Sequence, residues 1–422
     1  MKFISTRGNA EPVGASQAIM QGLAPDGGLY IPESFPSLAH VNVHEISSYP
    51  ELAYEVLAPF FNGDPLAPYL AEICVNAFTF PAPMIQLEEG RFVLELFHGP
   101  TAAFKDFGAR FLAYSMEQLL QLQKRKLTIL VATSGDTGGA VAAAFAGRKG
   151  IDVKVLFPKN RVSKRQQHQL TCWGGNIEAY EVDGSFDDCQ AMVKAAFMDE
   201  QISRQWGLSS ANSINLGRLL PQMVYYVYGA VRVQAASGKK PHFIIPSGNV
   251  GNSCGAYWAR TMGAPIESVT LALNANRTIV DYLKSGNYAP CASVETLANA
   301  MDVGAPSNME RLFALYGDLA TMRLNVSAYS IDDAAIRQTI KETYEQYGYI
   351  ICPHTATGVR VRKDFVSESP TIVVSTAHPA KFEMVVEPLI GHTLEMPPAL
   401  EELLKRDTRC TSIGTDYREL FQ

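Results

Sequence analysis

Few signatures of common function classes are present. No apolar run approaches the roughly 20 residues needed to cross a bilayer. The opening Met1-Lys2-Phe3-Ile4-Ser5-Thr6-Arg7-Gly8-Asn9 has no apolar h-region. Neither a membrane span nor a secretory signal is therefore expected. The seven cysteines (Cys74, Cys172, Cys189, Cys254, Cys291, Cys352 and Cys410) are odd in number and include no C-x-x-C pair. That argues against a disulfide framework and a zinc site, and for reduced thiols in a cytoplasmic protein. The eight histidines show no H-E-x-x-H or similar spacing, so no metal is expected. Charged residues make up only 18%, the net charge is −6, and no basic stripe is interleaved with aromatics. Nucleic acid is thus a poor partner, and any anion site must be a local device such as free N–H groups at a helix start. Internal repeats, low-complexity tracts and long charge blocks are missing too.

What remains is 422 residues with 47% hydrophobic content, ample for a folded core divided into roughly two or three domains. The first stretch, to about residue 87, is mixed. Its Gly22-Leu23-Ala24-Pro25-Asp26-Gly27-Gly28 turn leads into a short strand at Leu29-Tyr30-Ile31-Pro32. Pro81-Ala82-Pro83 marks a junction. Beyond it the chain alternates strand and helix patterns. Strands are read at Arg91 to Phe97, Leu127 to Ala132, Ile151 to Phe157, Glu178 to Val182, His242 to Ile245, Ser268 to Leu273 and Thr371 to Val374. Helical patterns begin near Phe104, Ser134, Ser163, Asp187 and Ser253, and a single long helix is read from Leu216 to Ala235. Such βαβ units predict parallel sheets.

Ligands of parallel sheets bind beyond the carboxyl ends of strands. Four unusual loops fall there, after Phe97, Ala132, Ile245 and Val374. The first carries Lys105 at a helix start, where the helix dipole and partial burial depress an amine's pKa, as an imine-forming lysine requires. The bland alternative is an exposed lysine paired with Asp106. The second, Ser134-Gly135-Asp136-Thr137-Gly138-Gly139, could cradle a carboxylate or phosphate, or simply cap its helix with Ser, Asp or Thr. It lacks the G-x-x-x-x-G-K-[ST] of a nucleotide loop. The third, Pro246 to Asn252, is a second Gly-rich strand-to-helix junction suited to phosphate, or a plain tight turn. Neither glycine loop contains G-x-G-x-x-G. In the fourth, Thr376 could bond a heteroaromatic nitrogen or cap the helix near Pro379. His98 and His378 are possible acid–base groups, read here as turn histidines bonded to backbone. His354 has no visible partner.

Taken together, H-G-P-T-x-A-F-K-D-F-G (98–108), S-G-D-T-G (134–138), N-S-I-N-x-G-R (212–218), P-S-G-N-x-G-N (246–252) and S-T-A-H-P-A-K-F (375–382) resemble the threonine synthase family. The N-terminal G-L-A-P-D-G-G-L-Y-I-P matches as well, so the motifs span nearly the whole chain in the family's order. The resemblance implies an α/β protein with the type II pyridoxal 5'-phosphate (PLP) fold. Two parallel-sheet domains would flank the cofactor, with 1–87 as an N-terminal domain. The larger PLP-binding domain would comprise 88–126 and 236–385, the smaller 127–235, and 386–422 would be an extension packing on the core.

It also implies roles. Lys105 would carry PLP and be the catalytic base. Ser247, Gly248, Asn249, Val250, Gly251 and Asn252 would hold the cofactor phosphate, and Thr376 would face the pyridine nitrogen. Ser134, Gly135, Asp136 and Thr137 would receive the substrate carboxylate. Asn212, Ser213, Asn215 and Arg218 would help hold the substrate phosphate. Position 250 is Val where many relatives carry Phe, and Asp136 stands where related enzymes often have Asn. The implied reaction turns O-phospho-L-homoserine and water into L-threonine and phosphate by γ-elimination and β-addition of water, in a cytoplasmic monomer or homodimer. The rival readings are a related PLP phospholyase or serine/threonine dehydratase, and a PLP-binding protein without turnover. The Asn212 motif and the N-terminal segment disfavour the dehydratase.

Overall fold

The computed structural model describes every residue except 40, 42–45, 134 and 366. Thirteen strands run in chain order among the described residues: β1 (Phe3–Ser5), β2 (Tyr30–Pro32), β3 (Met84–Glu88), β4 (Arg91–Glu95), β5 (Leu127–Ala132), β6 (Ile151–Pro158), β7 (Ile177–Val182), β8 (Leu208–Ser210), β9 (His242–Pro246), β10 (Ser268–Leu273), β11 (Ser327–Ser330), β12 (Thr371–Ser375) and β13 (Thr411–Ile413). Every residue of β5, β9 and β12 is buried. Fully buried, mostly apolar strands of this kind are what a parallel sheet covered on both faces requires.

The larger sheet has the order β11-β10-β9-β12-β4-β3. It is parallel except for β3, which folds back antiparallel on β4. Val373 lies opposite Ile244 on one side and Val93 on the other. Strands β9, β12 and β4 are thus immediate neighbours, and their carboxyl-end loops must emerge side by side. The second sheet, β13-β7-β6-β5-β8, is parallel throughout. Within the C-terminal segment 386–422, β13 forms that sheet's edge.

The N-terminal segment supplies the β1–β2 pair and three α-helices, Ala15–Gln21, Tyr49–Leu57 and Leu70–Ala77. Its aromatics lie against the Lys105–Gln123 helix. Phe78 stacks on Phe111 with centroids 6.2 Å apart, and Phe80 meets Phe107 edge-on at 4.7 Å. Phe107, Phe111, Met116 and Leu119 of that helix are all buried. Each such side chain contributes ~1.5–3 kcal/mol, so the helix bearing Lys105 is anchored along its length.

One sequence expectation fails. The long helix from Leu216 to Ala235 is two helices, Leu216–Leu219 and Gln222–Ser237. Pro221 stands between them; its ring removes a backbone donor and suits the entry to a new helix, not the interior of an old one. Among the described residues no helix is long and apolar enough to cross a membrane.

Candidate active site

Lys105 is the first residue of its helix. The loop before it is held by backbone contacts to the loop after β12. Phe104 N donates to Thr376 O at 2.9 Å, His378 N donates to Ala102 O at 3.0 Å, and Ala103 and Ala377 form an antiparallel bridge. Ala102 is forced to φ 54°, a left-handed conformation uncommon outside glycine. Two of the four loops are thereby latched together. Gly108 lets the helix approach the Arg218 turn, since a Cβ there would sit 2.6 Å from Arg218 O.

Lys105 is partly exposed as a residue, but its amine is desolvated and hydrogen-bonds to no described residue; the Phe104 ring centroid lies 5.9 Å from it. It does not pair with Asp106, which instead accepts from Thr101 N at 2.9 Å and Thr101 Oγ1 at 2.7 Å. Desolvation lowers the Lys105 pKa to about 8. Asp136 pulls the other way, while Lys381 and Arg218 add to the lowering. About a tenth of this amine is therefore neutral at pH 7, far more than for an ordinary lysine.

Asp136 opens the Asp136–Phe145 helix after β5. Its carboxylate does not cap that helix. Thr133 Oγ1 accepts from Gly135 N at 3.0 Å and Gly138 N at 2.9 Å instead. Asp136 Oδ1 meets Lys381 Nζ at 2.7 Å and Gln166 Nε2 at 3.1 Å, both deep in the protein. Burial opposes its charge, but Lys381 and Lys105 hold it well below the usual carboxylate range. Thr137 is partly exposed. Ser134 lies outside the described residues.

The turn after β9 is built around close approach. Ser247 N donates to Ala272 O, and Ser247 Oγ to Ile245 O at 3.0 Å. A Cβ on Gly248 would lie 2.7 Å from Met301 Cα. Val250 has φ 63° and precedes the Gly251–Thr261 helix. Asn249 Nδ2 donates to Ser213 Oγ at 2.7 Å, and its Oδ1 accepts from Ser307 N at 2.6 Å. Asn252 Oδ1 accepts from both Tyr225 and Tyr226 hydroxyls, yet its Nδ2 is buried without a partner.

The 212–218 segment joins this turn to the Lys105 helix. Asn212 Oδ1 and Arg218 Nε are also buried and unpartnered, while Arg218 Nη1 donates to Ala211 O. Burial lowers Arg218 to about 10. Asn215 differs: its Nδ2 donates to Ile19 O and Ser210 O at 2.9 Å each, and its Oδ1 caps Gly217 N at 2.8 Å. Its amide is fully committed to backbone.

Thr376 is buried, and its hydroxyl bonds no described residue. It is not the cap near Pro379; His378 Nδ1 takes that place, accepting from Ala380 N at 3.1 Å. The turn reading therefore fits His378, which burial and then neighbouring His98 lower to about 4. It does not fit His98, whose Nε2 lies 2.7 Å from Glu95 Oε2, a carboxylate and not a backbone group.

Three residues of this region carried no assignment from sequence. His354 opens the Pro353–Asp364 helix and accepts from Ala300 N at 3.2 Å. Burial drives it to about 4 against the pull of Asp136. Lys381 stands within a matched motif, but nothing local shows that it is buried. Arg311, fully buried, donates to Tyr30 O, to Ile214 O at 2.7 Å and to Asn308 Oδ1. Asn308 Nδ2 in turn reaches Asn249 O at 3.0 Å. Arg311 thus ties the N-terminal segment, the 212–218 segment and the 247–252 turn together.

The chain resembles known proteins along its whole length. Residues 78–376 match the family model for pyridoxal-phosphate dependent enzymes, 2–78 the threonine synthase N terminus, and 355–421 the threonine synthase C-terminal region. The chain is 39% identical to a threonine synthase of Haemophilus influenzae and 37% to one of Escherichia coli, each over 100% of this chain and 98% of the relative. The crystal structure of PLP-bound threonine synthase from Brucella melitensis superposes with a TM-score of 0.93 at 36% identity, covering 100% of this chain and 98% of that one. The chain therefore belongs to the threonine synthase family of pyridoxal-phosphate-dependent, type II fold enzymes.

Proposed function

We propose that this chain converts O-phospho-L-homoserine and water to L-threonine and phosphate, with PLP bonded to Lys105. The carrying observation is the Lys105 amine, lowered to about 8 and free of hydrogen bonds to described residues, where the strand-end loops meet. The surroundings fit a phosphorylated pyridine. The 247–252 turn admits no Cβ at 248, opens a helix and holds a buried, unpartnered Asn252 Nδ2. Free donors at a helix start are what a phosphate needs.

Ser247, Gly248, Asn249, Val250, Gly251 and Asn252 hold the cofactor phosphate, and the Thr376 hydroxyl faces the pyridine nitrogen. As a neutral partner, Thr376 leaves that nitrogen mostly unprotonated. Ser134, Gly135, Asp136 and Thr137 receive the substrate carboxylate. The ion pair with Lys381 offsets the repulsion that a bare Asp136 would exert. Asn212, Ser213 and Arg218 hold the substrate phosphate, with the orphaned Arg218 Nε the natural donor. Asn215 keeps that segment's shape. Bound PLP supplies the electron sink. Lys105 would take the α proton and then move protons between Cα, Cβ and Cγ as base and acid. Phosphate leaves from Cγ and water adds at Cβ.

The substrate is a small molecule. The chain works in the cytoplasm as a monomer or homodimer and without nucleic acid, readings supported by its net charge of −6 and its scattered thiols. Borohydride reduction followed by peptide mapping should mark Lys105, and Lys105→Ala should abolish threonine and phosphate release. Near-normal turnover by that variant would remove Lys105 as the base. Ammonia and keto acid from threonine, without phosphohomoserine turnover, would replace the reading by a dehydratase.

A further inference from the structure

Two ammonium groups share this site, and only Lys105 has a role so far. Lys381 is 1% exposed. Its Nζ touches Asp136 Oδ1 at 2.7 Å and Thr101 O at 2.9 Å. Thr101 O also accepts from Gln169 Nε2 at 3.3 Å, and Thr101 is bonded through N and Oγ1 to Asp106. Lys381 therefore joins the loop that presents Lys105 to the helix start that bears Asp136. Burying an ammonium with one carboxylate and one carbonyl is a poor stability device, because desolvation consumes most of the Coulomb gain. Such a pair is better explained by its effect on a third charge.

That third charge is the Lys105 amine. It feels the charges of Asp136, Lys381 and Arg218 and shares its field with His354; His354 also feels Asp136 and Lys381, and Asp106 is coupled to Lys381, Arg110 and Arg218. An unpaired Asp136 would hold Lys105 protonated, and a protonated amine neither attacks an aldehyde nor accepts a proton. We propose that Lys381 is a positioning residue that neutralises Asp136, so that the Lys105 amine stays available in its unprotonated form. This rests on Lys105 being the PLP lysine. Lys381 touches no reacting atom; it acts by offsetting Asp136 and by its own positive charge near Lys105.

The test reads the Lys105 amine directly. Full-length protein freed of cofactor is treated with acetic anhydride across a pH series. Acylation at Lys105 is quantified by mass spectrometry in wild type, Lys381→Met, Asp136→Asn and the double variant. Lys381→Met should shift the Lys105 curve up by about one pH unit, an opposite charge nearby being worth that much or more. Asp136→Asn, nearly isosteric, should shift it down, because Lys381 is then the unpaired neighbour. The double variant should return to within about half a unit of wild type, since coupled neighbours are non-additive. Unmoved curves in both single variants, or shifts of the same sign, would overturn the proposal. Should Lys381→Met fail to fold, the downward shift in Asp136→Asn decides alone. Borohydride mapping of PLP-loaded wild type is run beside it. A label elsewhere than Lys105 would sink the cofactor assignment, whatever the acylation curves show.

Discussion

Gly248→Ala probes whether the turn after β9 is shaped for a ligand. The added Cβ would stand 2.7 Å from Met301 Cα, 3.0 Å from its O and 3.1 Å from its C. These are backbone atoms and cannot swing aside as a side chain would. The Met301 segment is itself fixed. Ala300 N is bonded to His354, and Asp302 accepts from Thr296 N and from Asn274 and Asn276. The turn must therefore yield. Forcing a methyl into a packed site costs ~1–3 kcal/mol. If that strain appears in PLP binding, affinity falls roughly 5- to 150-fold. Gly174 serves as a control: a methyl added there would meet nothing within 4 Å and its φ is not positive, so Gly174→Ala should be silent. PLP titration by absorbance and thermal melting of the cofactor-free chain separate lost affinity from lost stability. A Gly248→Ala protein that binds PLP like wild type, even if it melts earlier, would refute the claim that this turn holds the phosphate.

Acid should weaken the fold over a defined window. His354 is buried and neutral with a folded pKa of about 4, below the ordinary histidine value, so the unfolded chain binds the extra proton first. Stability is complete above about pH 6.5 and lost as pH falls towards the folded value, by ~3 kcal/mol from this group. His354→Gln should flatten urea midpoints between those limits, and slopes equal to wild type would discard this account. Arg311→Met should cost ~3 kcal/mol in urea unfolding by leaving Tyr30 O, Ile214 O and Asn308 Oδ1 without their donor. It should also loosen PLP through Asn308 and Asn249, and an unchanged PLP affinity would count against that linkage.

The most legible strands in the sequence are those that are largely apolar and doubly covered, such as Leu127–Ala132. β8, β11 and β13 are three or four residues long and carry serines. Nothing in so short a polar stretch separates strand from loop; pairing with a neighbour decides it. The site divides in the same way. Lys105, Gly248 and Thr376 stand in local patterns where residue type and position already suggest chemistry. Lys381 and Thr101, or Arg311 and Tyr30, meet only through folding, 280 and 281 positions apart. A lysine's sequence neighbours do not reveal that it will be buried. His354 is opaque for the same reason, since its partner Ala300 belongs to the 3-10 turn Asn299–Met301, 54 positions away.

The edge position of β13 has a consequence for how the molecule is made. β7 gains its outer neighbour only from a segment that follows the entire larger sheet in the sequence. Until that stretch has been synthesised, β7 offers unpaired amides and carbonyls to any passing strand. The five-stranded sheet is thus finished last, and a shortened product lacking the 411–413 strand should tend to associate through that bare margin.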